Sequence, residues 1–135
     1  MTTIFKDVAE FHEKILDLKK LEHASLLTPE MMTERFRFLC EETNEFYEAA
    51  IAGDMVKAVD GLLDTIYVAA GTLWLMGVPE QACWDLVQKA NLAKVRGVTS
   101  RGNAVDAVKP EGWIAPEAGM AAILLAQIDN DAPWD

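Results

Sequence analysis

The chain has 135 residues, 51% of them hydrophobic, with a mean hydropathy of +0.07 and a formal charge of −10. That is long enough for one domain with a real core and too apolar for disorder. The acidity argues against a general nucleic-acid binder, which shows a basic footprint, and suits the binding of divalent cations.

In chain order, Ile4, Val8, Phe11, Ile15 and Leu18 recur at three- and four-residue steps and predict an amphipathic helix over 4–22. This opening lacks a basic segment followed by an apolar one, so no signal peptide is expected. Cys40 and Cys83 form no spaced motif and read as reduced thiols of a cytoplasmic protein. Thr28-Pro29-Glu30 is a start signal: a capping hydroxyl, proline at the first position and an acid in the first turn. The second helix then runs to about Ala52, with Met32, Phe36, Leu39, Phe46, Tyr47 and Ala50 as its apolar stripe. Gly53-Asp54 ends it, and Asp54 caps a third helix that runs to Met76, where Gly77 suits a C-terminal cap.

Within that third helix, residues 61–78 are nearly all apolar and span about 27 Å, near the lower limit for crossing a bilayer. Asp64 interrupts them and no basic cluster flanks them, so a core helix partly buried by another subunit is expected, with no membrane. Pro79 opens a fourth helix to about Lys94. Residues 96–119, rich in Gly and Pro, read as loop or short extended pieces; 116–128 read as a last helix and 129–135 as a mobile tail. The expected fold is all-α, a four- to five-helix bundle in a single domain over 1–135.

The chemistry gathers on helices two and three. Glu41, Glu42, Glu45 and Glu48 lie within roughly 120° of one helix face, where like charges repel. A wet surface would look similar, but Phe38 and Ala49 share the arc, which suggests contact with another helix. Asp64 shares its side of the third helix with Tyr67, Val68, Gly71 and Leu75. Buried carboxylates are paired, protonated or bound to metal. Lys57, two turns earlier, could neutralise Asp64 alone. If the two helices pack antiparallel, Glu41, Glu42 and Glu45 approach Asp60 and Asp64. All-oxygen ligation then points to Mg²⁺, with Mn²⁺ as a substitute. Neither histidine follows a glutamate by three residues, which argues against a di-iron bundle, and nothing forms a nucleophile elbow.

Residues 89–109 hold Lys89, Lys94, Arg96, Arg101 and Lys109 against one acid, Asp106. A solvated loop is one reading; a contact for metal-bound phosphate is the other.

EETNE followed by DGLLDTIY resembles the all-α nucleoside triphosphate pyrophosphohydrolases, the MazG-like and phosphoribosyl-ATP pyrophosphohydrolase-like group. Glu41, Glu42 and Glu45 match the Glu-Glu-x-x-Glu half of its signature, and Asp64 matches the acid that closes the second half. FKDVAEFHEK, Asn91-x-x-Lys94 and Lys109-Pro110-x-Gly112-Trp113-x-x-Pro116 resemble short phage-type members, so the likeness covers about 4–117. One position departs: the common pattern has Glu three residues before the last Asp, and here that residue is Gly61, with Asp60 one earlier. The resemblance implies hydrolysis of a nucleoside triphosphate, a purine such as dGTP or GTP first, between the α- and β-phosphates. It implies Glu42, Glu45 and Asp64 as Mg²⁺ ligands, with Asp60 and Glu41 as further ligands and Glu41 also as a water-orienting base. Asn91, Lys94, Arg96 and Lys109 become phosphate or sugar contacts, Tyr67 and Trp113 base-stacking candidates, and the assembly a homodimer or homotetramer joined through the third helix. A phosphoribosyl-ATP substrate and a non-catalytic acidic module that binds a protein partner are the alternatives.

Overall fold

The computed structural model describes residues 3–98, 102 and 105–131, with side chains from 4 to 126. The chain is mostly helical, as expected of an all-α fold, and divides into two compact units, Met1–Glu80 and Gln81–Asp135.

The first unit holds α1 (Thr3–Lys14), α2 (Pro29–Ile51) and α3 (Met55–Leu75). Both expected N-terminal caps are present. The Thr28 hydroxyl accepts from Met31 N at 3.3 Å, and the Asp54 carboxylate accepts from Lys57 N at 3.0 Å. The three-residue connection 52–54 folds α3 back along α2, so the two run antiparallel. Their packing is closest where Gly61 meets Phe46. A Cβ on Gly61 would stand 2.9 Å from the Phe46 nitrogen and 3.0 Å from its Cα, so only glycine allows this approach. The core of the unit gathers at the other end of α3, where Leu27, Trp74 and Leu75 are buried with Ala9, Met32 and Met76 against them.

Two expectations need correction here. The first helix stops at Lys14 rather than residue 22. Asp17 adopts a left-handed backbone (φ 51°), and the chain then runs beside the end of α3, with Leu21 N bonded to Leu75 O and Ser25 N to Met76 O. Ile15 and Leu18 fit the helical period, yet both are exposed: periodicity marks apolar positions, not the backbone bonds that decide where a helix ends. On α2, the stripe read as the core face is partly outward, since Phe36 is 65% and Tyr47 62% exposed. The face that packs on α3 is the mixed one that carries Arg35, Glu42 and Phe46, with the buried Ala49.

Helix α3 is long and apolar enough, by length and composition, to cross a membrane. It nevertheless carries Asp60 and Asp64. Opposite Asp64 it shows an exposed apolar row: Met55, Val59, Leu62, Ile66 and Leu73.

The second unit holds most of α4 (Glu80–Leu92), then β1 (Val95–Gly97), β2 (Asp106–Val108) and α5 (Glu117–Asp131). The expected extended pieces form an antiparallel pair with Val95 opposite Val108 and Gly97 opposite Asp106. Residues 110–113 make a β-turn closed by Trp113 N to Pro110 O, with Gly112 at φ 77° supplying the left-handed position. α5 extends three residues beyond its expected end, taking in 129–131 of the anticipated tail; residues 132–135, and Arg101 of the basic stretch, lie outside the described residues.

Candidate active site

The antiparallel α2–α3 seam brings the carboxylates together. Arg35, Glu42 and Phe46 follow one another along α2, and Thr72, Val68, Asp64 and Gly61 along α3 in the opposite sense. Glu42 sits in the middle of this seam, half-buried. Burial pushes its carboxyl above the usual glutamate range. The charges of Glu45 and Asp64 push it further, as do hydrogen bonding with Glu45, which requires a protonated carboxyl, and the charge of Glu41. Four of the sequence-derived site residues therefore form one electrostatic group across two helices.

One atom states the imbalance. Glu42 Oε2 is buried, and among the described residues it is the only buried side-chain nitrogen or oxygen without a hydrogen-bond partner. Among the described residues no cationic side chain, Lys57 included, is in a salt bridge with Asp64. Instead Lys57 lines an open cleft at the turn end of the seam, with Glu45, Glu48, Asp54 and Asp60. Asp60 thus joins the group through Glu45 rather than by facing Glu42 directly.

An oxygen-rich, under-neutralised group with an orphaned buried carboxylate oxygen is chemistry suited to a hard divalent cation. Glu42, Glu45 and Asp64 are the residues that could hold one, with Glu41 exposed beside them. Among the described residues no three Asp, Glu, His or Cys side chains are gathered closely enough to enclose an ion as they stand.

Linkage gives this repulsion a sign. A carboxyl raised in the folded state binds protons that the unfolded chain has already released. Its destabilising effect is absent below the ordinary glutamate pKa, grows as pH rises, and is complete above the raised value. Glu42→Gln is therefore expected to raise the Tm of metal-free protein at neutral pH and to have no such effect in mild acid. Thermal melts at the two pH values in EDTA check this; an equal or lower Tm at neutral pH would show that the glutamates do not strain the fold.

The remaining site candidates divide between the units. Tyr67 packs under α1, its ring edge-on to Phe11 with centroids 5.5 Å apart; burial raises its phenol pKa, with lesser contributions from Asp7 and Glu10. In the second unit, the indole N–H of Trp113 donates to Ala90 O at 2.7 Å. The ammonium groups of Lys94 and Lys109 lie 5.3 and 5.0 Å from its ring centre, so the indole holds two cations near each other. Lys94 also donates to Asn91 Oδ1 at 3.0 Å, and Arg96 is exposed on β1 opposite Ala107. A pocket of about 360 Å³ lies beside this Trp, between α4 and the 110–116 loop, with Lys89 and Glu111 among its lining residues.

Sequence reasoning missed Arg35 and His12. Arg35 precedes Glu42 by seven residues and so occupies the same helix face, a signal that was available. His12, considered only as a histidine without a glutamate three residues before it, is 2% exposed.

No curated protein sequence matches the chain. The family model for phosphoribosyl-ATP pyrophosphohydrolase matches residues 8–91, well over half of the chain. The matched region contains Glu41, Glu42, Glu45, Asp60 and Asp64, while Lys94, Arg96, Lys109 and Trp113 lie beyond it. The chain belongs to the phosphoribosyl-ATP pyrophosphohydrolase family, within the MazG-like superfamily of all-α pyrophosphohydrolases.

Proposed function

We propose that this pyrophosphohydrolase cleaves a purine nucleoside triphosphate, dGTP or GTP before others, between the α- and β-phosphates. The products are the nucleoside monophosphate and pyrophosphate. The observation that carries this reading is the carboxylate layer around the orphaned Glu42 oxygen, within the region that matches the family.

In this reading Glu42, Glu45 and Asp64 hold Mg²⁺, or Mn²⁺ in its place, with Glu41 and Asp60 as outer contributors. Such an ion, when bound, screens the polyphosphate and makes water a better nucleophile. The protein's own groups do the rest. Burial and the neighbouring charges hold the Glu42 carboxyl above the usual range, so its charge depends on what the site binds. Glu41, exposed at the edge of the layer, orients the attacking water and accepts its proton. Lys94, Arg96 and Lys109 offset phosphate charge, and Asn91, already bonded to Lys94, helps set that side chain. The exposed apolar row on α3 is the contact for a second copy of the chain.

The family to which the chain belongs favours a second reading, phosphoribosyl-ATP as substrate, with the same bond cleaved. One assay separates them. The protein is incubated with each ribo- and deoxynucleoside triphosphate and with phosphoribosyl-ATP, in Mg²⁺ and then in EDTA. The expected result is monophosphate plus pyrophosphate, fastest with dGTP, abolished by EDTA. Preference for phosphoribosyl-ATP or for a pyrimidine would overturn the substrate; diphosphate plus orthophosphate would overturn the bond; turnover in EDTA would overturn the metal.

A further inference from the structure

Arg35 makes a contact that the proposed chemistry does not use. Its Nε donates to Thr72 Oγ1 at 2.9 Å and its Nη2 to Val68 O at 3.0 Å, while Thr72 Oγ1 donates to the same carbonyl at 2.7 Å. One planar guanidinium on α2 thus grips a side chain and a backbone carbonyl of α3, one turn apart. Room for it comes from Gly71. A Cβ there would stand 2.7 Å from His12 Nε2 and 3.0 Å from Arg35 Nη2. His12 is held in turn from α1, its Nδ1 bonded to Val8 O at 2.8 Å and its ring against Phe11 and Trp74.

This is a costly way to join helices. Burial lowers the Arg35 pKa, and among the described residues no carboxylate forms a salt bridge with it. An apolar side chain of similar size would fill such a space without desolvating a charge. What the guanidinium supplies is direction: two hydrogen bonds at fixed angles set the rotation and register of α2 on α3. Gly61 against Phe46 fixes the seam on the other side of the carboxylates. Between these two points lie Glu42 and Asp64, whose charges push the helices apart.

We propose that Arg35 is a positioning residue, holding α2 in register on α3 so that Glu42 and Glu45 face Asp64 despite their repulsion. The inference rests on the reading of those carboxylates as the reactive layer, and it goes further by assigning the residue that keeps the layer assembled.

The test compares the whole protein with Arg35→Met, Arg35→Lys and, as a control for lost stability, Val8→Ala. Mn²⁺ affinity is measured by electron paramagnetic resonance, kcat by pyrophosphate release, and folding by circular dichroism. Arg35→Met is expected to weaken Mn²⁺ binding and kcat by about tenfold or more, the scale seen when groups that orient ligands are removed. Arg35→Lys, with one donor centre in place of a fork, falls between. Val8→Ala, at the 1%-exposed position in α1, loses stability but keeps wild-type Mn²⁺ affinity. If Arg35→Met does not fold, Thr72→Val removes the Nε acceptor at constant shape and gives a smaller drop in the same direction. Wild-type Mn²⁺ affinity and kcat in a folded Arg35→Met or Thr72→Val protein would overturn the proposal. A wild-type protein that releases pyrophosphate but binds no Mn²⁺ refutes the metal reading alone, and kcat then decides on Arg35. A wild-type protein with neither property overturns both.

Discussion

Asp64→Asn is expected to leave a folded protein that releases pyrophosphate at least about tenfold more slowly than wild type, a loss typical even of groups one step removed from a bound ion. The substitution is nearly isosteric, so α3 keeps its packing against α2. What changes is charge. Asp64 is one of the groups that raise the Glu42 carboxyl, and among the described residues no salt bridge answers it. Without it, Glu42 ionises more readily and the metal-free fold loses a source of repulsion, so the Tm should hold or rise. The same change removes a negative oxygen from the layer that would hold the cation, so Mg²⁺ should stabilise the variant less than it stabilises the wild type. A protein of unchanged or higher Tm and much lower activity has lost function without losing structure. Asp60→Asn should cost less, because Asp60 lines the cleft beside Glu45 rather than acting on Glu42. Near-wild-type turnover by Asp64→Asn would remove this carboxylate from the chemistry.

Much of this layer was legible in the sequence because helices obey simple angles. Thr28-Pro29 and Asp54 fixed the starts of α2 and α3 through hydrogen bonds that involve only neighbouring residues. A three-residue connection then forces the helices to fold back on one another, which brings Glu42 to Asp64 without further information. Other features depend on contacts that no local pattern encodes. The end of α1 is set where Asp17 turns left-handed and the chain bonds to the end of α3, Leu21 N to Leu75 O, 54 residues apart in sequence. The exposed Phe36 and Tyr47 misled because apolar residues mark burial in the finished assembly as well as in one chain. The spacing of Arg35 from Glu42 gives its helix face but not its contact: a cation on a charged helix reads as solvated until the carbonyl that it grips is known.

The departure at Gly61 leads to the second large effect. Gly61→Glu restores the acid that the common family pattern places three residues before Asp64, and composition alone would predict a better cation site. The packing predicts the reverse. A Cβ at residue 61 meets the backbone of Phe46 at 2.9–3.0 Å and its Cβ at 3.1 Å, and backbone atoms in the middle of a helix cannot move aside alone. α2 and α3 must separate. Replacing glycine gains up to about 1 kcal/mol in helix propensity, whereas overpacking of this kind costs typically about 1–3 kcal/mol, and a glutamate adds another negative charge beside Glu42 and Asp64. The net effect is a Tm several degrees lower. Separation also pulls Glu42 and Glu45 from Asp64, so activity falls with stability. Gly61→Ala divides the two causes: it has the steric clash without the charge and is expected to show most of the same loss. Melting curves and pyrophosphate release for both variants decide the matter. If Gly61→Glu melts like wild type and turns over faster, the close approach is dispensable and the site lacks only a ligand. If both variants lose stability and activity together, Gly61 is the residue that lets two acidic helices come near enough to share one layer of carboxylates.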